Sequence, residues 1–213
     1  MNSRKLLHAP LAKPVAAIPP GSLVLLRAHA AACRACPLWR DATQTVFGVS
    51  DRHARLVVIG EQPGAQEDHT GSPFVGPAGA LLDRLMIGAG LERESIYLTN
   101  VVKHFKYELR GKIRLHKRAN AFEQAACRPW LAAELLRVRP RLVLALGAMA
   151  AQTVFGAGFR IQRDRGRWFD APGGYRAMAS WHPAAILRMP SPHRDLAHAQ
   201  LLIDLRAVRR ELD

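Results

Sequence analysis

Two segments constrain the fold most. Leu56–Gly60 reads LVVIG, and residues 141–147 read RLVLALG, apolar throughout after the leading arginine. A strand with one face in water alternates apolar and polar residues; these do not, so both faces must be covered. Ile96–Asn100 (IYLTN) and residues 175–181 (YRAMASW) are strand-like in length and are followed by turn residues. Helical spacing falls between them. Leu81, Leu82, Leu85 and Met86 share a face, as do Trp130, Leu131, Leu135 and Val138, with Pro129 read as a first helical position. Leu201, Leu202, Leu205 and Val208 mark a closing helix, and residues 21–32 an opening one with Ser22 as its N-cap. Strands alternating with helices predict a three-layer α/β/α sandwich with a central four-stranded, mainly parallel sheet. Residues 21–213 form one domain in this reading, behind a Pro-rich flexible arm at residues 1–20.

In such folds the working loops follow the C-terminal ends of the strands. Gly60-Glu61-Gln62-Pro63-Gly64-Ala65-Gln66-Glu67-Asp68 follows the first strand, and the loop continues through Phe74 to Gly79. Its glycines and prolines predict a rigid, tightly turned pocket wall with carboxylates at its base and Phe74 presented outward. It matches neither a P-loop nor a dinucleotide fingerprint, so no nucleotide cofactor is expected.

Charge indicates the partner. The 213 residues hold 31 Lys and Arg against 17 Asp and Glu, a net charge of +14, which suits a polyanion such as nucleic acid. Seven of the cations lie in residues 103–118 (KHFKYELRGKIRLHKR) against the single acid Glu108. Helical periodicity is poor there, so the segment reads as a loop or extended excursion. Its cations are suited to phosphates, and its aromatics Phe105 and Tyr107 to stacking on a base. No apolar run is long enough to span a membrane, and no secretory leader is evident, so a cytoplasmic monomer is the expectation.

The chain has three cysteines, Cys33, Cys36 and Cys127. Cys33-x-x-Cys36 is a chelating spacing, although a redox pair or two small buried residues fit it as well. With Cys127 and a histidine or carboxylate it makes a four-ligand set for zinc or an iron–sulfur cluster. The nine histidines do not identify the fourth ligand by composition.

Three motifs together resemble a known family. The segment GEQPGAQEDHTGSPFVGPAG resembles motif A of the family 4 and 5 branch of uracil-DNA glycosylases. His182-Pro183-Ala184-Ala185-Ile186-Leu187-Arg188 resembles their motif B, and Asn100 of LTNVVKH stands where that family reads uracil. The narrower likeness is to the UdgX type, which has Gln after the first Glu of motif A and a loop of the form K-x-R-x-H-K. Here the loop is Lys112-Ile113-Arg114-Leu115-His116-Lys117. The resemblance spans roughly residues 30–210. It implies a [4Fe–4S] cluster held by Cys33, Cys36, His104 and Cys127, with His104 where other members carry cysteine. Two positions depart from the pattern: Ala65 stands where members often have an acid, and Ile113 where the loop is usually basic.

The resemblance also assigns roles. Uracil-containing DNA, preferably single-stranded, is the implied partner. Arg114, Lys117 and Arg188 would contact phosphates. Gly60, Gln62, Asp68, Phe74 and Asn100 would form the uracil site, with Phe74 stacking on the base and Asn100 pairing with its polar edge. His182 would stabilise departing uracil, and Glu61 the developing sugar cation. In the UdgX type the loop histidine, matched by His116, attacks C1′ and leaves DNA covalently attached. A turning-over family 4 glycosylase and a metal-containing DNA-binding protein without chemistry are the competing expectations.

Overall fold

A computed structural model describes residues 21–49 and 53–213; the arm assigned to residues 1–20 lies outside the described residues. In chain order the elements are α1 (Leu23–Ala31), β1 (Leu56–Gly60), α2 (Ala65–Thr70), α3 (Pro77–Gly88), β2 (Ile96–Asn100), β3 (Tyr107–Arg110), β4 (Ile113–His116) and α4 (Ala121–Val138). They continue with β5 (Leu142–Leu146), α5 (Gly147–Phe155), α6 (Ile161–Asp164), β6 (Phe169–Ala171), β7 (Tyr175–Ser180), α7 (Pro183–Arg188) and α8 (His193–Leu212).

The central sheet has the order β2-β1-β5-β7-β6. Its first four strands are parallel, as expected; β6 adds a fifth, antiparallel to β7. It is only three residues long, too short for apolar patterning to reveal. Alternation shows why β1 and β5 are apolar throughout. Val57, Ile59, Val143 and Ala145 pack with Leu131 of α4 and Met149 of α5 on one side. Leu56, Val58, Leu142 and Leu144 pack with Leu82 of α3 and Leu201 and Leu205 of α8 on the other. Every strand residue therefore meets a helix layer.

One local expectation needs correction. Pro129 does not open α4 but sits inside it. The helix starts eight residues earlier at a capping box: Asn120 Oδ1 accepts from Glu123 N, and Glu123 Oε2 accepts from Asn120 N. The basic segment takes the extended of its two expected forms. Its outer part pairs antiparallel, Tyr107 with His116 through Arg110 with Ile113, as a ribbon separate from the main sheet. Ser22 caps α1 as read from sequence, its Oγ accepting from Leu25 N. No helix among the described residues is long and apolar enough to cross a membrane.

Candidate functional site

The parallel strands end along one edge of the sheet. Glu61 follows β1, Asn100 ends β2, Gly147 follows β5 and His182 lies just past β7. All four line one cavity of about 620 Å³, joined by Phe74, Gln62, Arg188 and, from β4, His116. Residues over a hundred positions apart thus meet because parallel strands present their C-terminal ends together.

Two glycines make this closeness possible. A Cβ on Gly60 would lie 2.3 Å from Asn100 Oδ1 and 2.6 Å from Phe74 Cζ. One on Gly147, whose φ is +84°, would lie 2.8 Å from His182 Cβ. Sequence reasoning chose Gly60 but missed Gly147, although both close an apolar strand. It also missed Trp181 and Ile161, which line the cavity and carry no polar signal.

Phe74 is buried rather than presented outward, which corrects the sequence expectation. Its backbone has φ +56°, and its ring stacks at 6.2 Å from that of His182. Glu67 fixes this turn: its carboxylate accepts from the backbone N–H groups of Gly64, Val75 and Gly76. Ala65, exposed at the start of α2, also lines the cavity.

His182 caps α7, its Nδ1 accepting from Ala184 N at 3.1 Å. The proton of the neutral ring is therefore on Nε2. Burial pushes the pKa of His182 down to about 4, helped by the positive charge of Arg188 and by the nearby His116 whenever that ring is protonated. His116 stands at the cavity mouth. The protein packed around it lowers its pKa, Arg188 adds to that effect, and Glu61 opposes it. Both rings are thus held toward the neutral form.

Gln62 lines the cavity and also holds the ribbon. Its Nε2 donates to Lys106 O and Lys117 O, on either side of β3 and β4, and its Oε1 accepts from Ala119 N. Asp68 is fully buried and absent from the cavity wall. Its carboxylate accepts from Thr43 N, Thr43 Oγ1 and Arg114 Nη1. Arg114 also lies over the rings of Phe105 and Tyr107. Asp68 and Arg114 are therefore placed to tie the ribbon to the motif A loop.

Much of the local charge is internally matched. Lys103, only 1% exposed, pairs with Glu134 at 2.5 Å; Lys106 pairs with Glu123, Arg114 with Asp68 and Lys117 with Glu108. Arg110, Lys112 and Arg118 have no ion pair among the described residues, and neither does Arg188 at the cavity rim.

The four residues chosen as cluster ligands have suitable donor chemistry. The neighbouring thiol of Cys127 lowers the pKa of Cys36 to about 7. Cys33 Sγ accepts from Trp130 Nε1. Burial pushes the pKa of His104 down to about 4, so its ring is neutral. Thr45 Oγ1 lies 3.2 Å from Ala30 O and 2.9 Å from His104 Nε2. His104 Nδ1 is buried with no hydrogen-bond partner among the described residues, which leaves that nitrogen open to a ligand bond. Among the described residues, no group of three or more His, Cys, Asp or Glu side chains converges closely enough to hold a single metal ion.

Residues 47–206 match the Uracil DNA glycosylase superfamily. The chain is 38% identical to the Type-4 uracil-DNA glycosylase of Thermotoga maritima over 157 residues, 73% of this chain and 78% of that protein. It is 34% identical to the Type-4 uracil-DNA glycosylase of Archaeoglobus fulgidus over 165 residues, 74% of this chain and 79% of that one. Among solved structures, wild-type SMUG2 of Pedobacter heparinus shares the fold, with a TM-score of 0.52 at 14% identity over 74% of this chain and 77% of that one.

Proposed function

The chain belongs to the uracil-DNA glycosylase superfamily, and from that premise we propose that it excises uracil from DNA by hydrolysing the bond between C1′ and N1. The supporting observation is the convergence of Glu61, Asn100, His182 and Phe74 on one cavity at the strand ends. A deoxyuridine must leave its stack to enter that cavity. Phe74 and Asn100 then take the base, the ring against its face and the amide against its polar edge. As the C1′–N1 bond breaks, its electron pair leaves with N1 and positive charge grows on the sugar. His182 Nε2–H donates to uracil O2, and the Glu61 carboxylate faces the sugar cation. Water adds to C1′, with its proton passing to Glu61 or to solvent. Arg188 holds a phosphate at the rim.

A second reading has its own observation: His116 shares the cavity with Glu61 and is held toward neutrality. A neutral imidazole in that position can attack C1′ in place of water, its ring proton passing to Glu61 and uracil leaving with the electron pair. The product is DNA joined to the protein. The relatives' names favour turnover; the place of His116 favours capture.

One experiment separates them. A single-stranded uracil oligonucleotide is incubated with limiting protein, and free uracil and SDS-resistant protein–DNA are both measured. Many uracils per protein with no slow band support hydrolysis. One uracil per protein with a band that His116→Ser abolishes supports capture. No uracil release overturns both.

Cys33, Cys36, His104 and Cys127 would hold a [4Fe–4S] cluster, whose role would be to tie the start of the domain to the segment leading into β3. Iron and acid-labile sulfide assays on protein purified without air test this. Their absence, with excision intact, removes the cluster from the proposal.

A further inference from the structure

The ribbon formed by β3 and β4 has a held root and an unheld tip. Gln62 bridges both strands at the root, and Arg114 bonds Asp68 beneath the middle. At the tip, Leu109 is 67% exposed and Ile113 64%, and a Cβ added to Gly111 would meet nothing within 4 Å. The aromatics expected to stack on DNA are turned inward: Phe105 is buried, with Tyr107 stacked on it. An aliphatic tip that buries nothing adds nothing to the fold, and a two-stranded ribbon depends on its root for stability.

The register assigns faces. Opposed residues share a side, so Tyr107, His116, Leu109 and Arg114 lie on one face, and Glu108, Leu115, Arg110 and Ile113 on the other. His116 lines the cavity. Leu109 is therefore on the cavity face, one same-face step outward from the Tyr107–His116 pair, or about 7 Å along the ribbon. Leu109 thus stands outward of His116 on the cavity side of the ribbon, where the strand flanking a base drawn into the cavity can pass. Lys112, without an ion pair among the described residues, stands in the turn at the tip.

We infer that Leu109 is a stacking contact for an unpaired base next to the extruded nucleotide, with Lys112 in the turn holding an adjoining phosphate. Extruding a nucleotide leaves its neighbour with one bare face, and an exposed aliphatic side chain on the cavity side of the ribbon can cover it. This rests on the reading of the cavity as a site for a nucleotide of DNA.

Ile113 supplies the control, since it is equally exposed on the same ribbon but on the opposite face. The full chain is assayed on single-stranded uracil oligonucleotides carrying 2-aminopurine one or two positions from the uracil. Leu109→Ser should raise KM about fivefold, the low end for a stacked base, and abolish the fluorescence change on binding. The salt dependence of binding should be unaltered. Ile113→Ser should behave as wild type, and Lys112→Ala should lower the salt slope by about one. Wild-type behaviour of Leu109→Ser overturns the inference, as does an equal loss in Ile113→Ser, which would report general disorder of the ribbon. If the wild-type chain neither binds nor excises, the functional reading has failed; if it does both and Leu109→Ser changes nothing, only this inference has.

Discussion

The backbone amide of Ala184 donates to Nδ1 of His182 at 3.1 Å, and this bond sets the ring's tautomer. Nε2 is left as the donor, in a ring whose pKa burial has pushed down to about 4. His182→Gln should lower kcat by roughly 10²- to 10³-fold, the range for losing one donor to a developing anion. The same variant tests linkage. Free histidine titrates near 6.5 and folded His182 near 4, so the unfolded chain takes up the proton first as pH falls. The stability owed to neutral His182 is complete above 6.5 and is lost as pH falls toward 4. The urea midpoint of wild type should therefore fall relative to that of His182→Gln between pH 7 and pH 4.5.

Gly60→Ala should damage activity more than folding. The added methyl group would meet Asn100 Oδ1 at 2.3 Å and Phe74 Cζ at 2.6 Å, the two groups placed around the base. Overpacking of this kind costs about 1–3 kcal/mol. Displacing the base-reading pair by about 1 Å should lower kcat/KM by roughly 10²-fold. Circular dichroism and uracil-release kinetics on the same sample distinguish the two effects.

Lys103 and Glu134 test how the end of β2 is held. The ammonium donates to Thr99 Oγ1, Asn100 O and Glu134, and Glu134 also accepts from Tyr97 Oη and Gly48 N. Lys103→Met leaves a buried carboxylate without its cation and should cost about 3–5 kcal/mol. Adding Glu134→Gln removes the stranded charge and should recover part of that loss, as read from urea midpoints at constant slope.

Arg114 and Arg188 should separate in salt titrations of DNA binding. Arg188→Ala removes an unpaired cation at the rim and should reduce the slope by about one. The guanidinium of Arg114 is engaged by Asp68, so Arg114→Ala should leave the slope nearly unchanged. It should instead destabilise the fold by about 1.5–3 kcal/mol, as expected for a hydrogen bond between charged groups. Asp68→Ala should cost more, since it also removes the bonds from Thr43 N and Thr43 Oγ1, and adding Arg114→Ala to it should add little.

Local chemistry written into the sequence was enough for much of this molecule. Unbroken apolar runs at β1 and β5 required cover on both faces and hence a parallel sheet between helices. The glycines and prolines after β1 required a rigid loop, and the spacing of Cys33 and Cys36 marked possible ligands. Patterning did not reveal β6, which is too short for a period, or the start of α4, whose signal is the Asn120–Glu123 box rather than an apolar stripe. Tertiary structure alone decided what each charge and ring does. By sequence alone Arg114 is one more cation for phosphate, but in the fold its guanidinium bonds Asp68, and Phe105, by sequence a stacking surface, is buried. Net charge is a sum over residues, but the charge available to a partner is what remains after the fold has paired its own ions, and that depends on distances a sequence does not contain. Face is equally a tertiary property: only the register of β3 against β4 puts Leu109 on the side of His116 and Ile113 on the other.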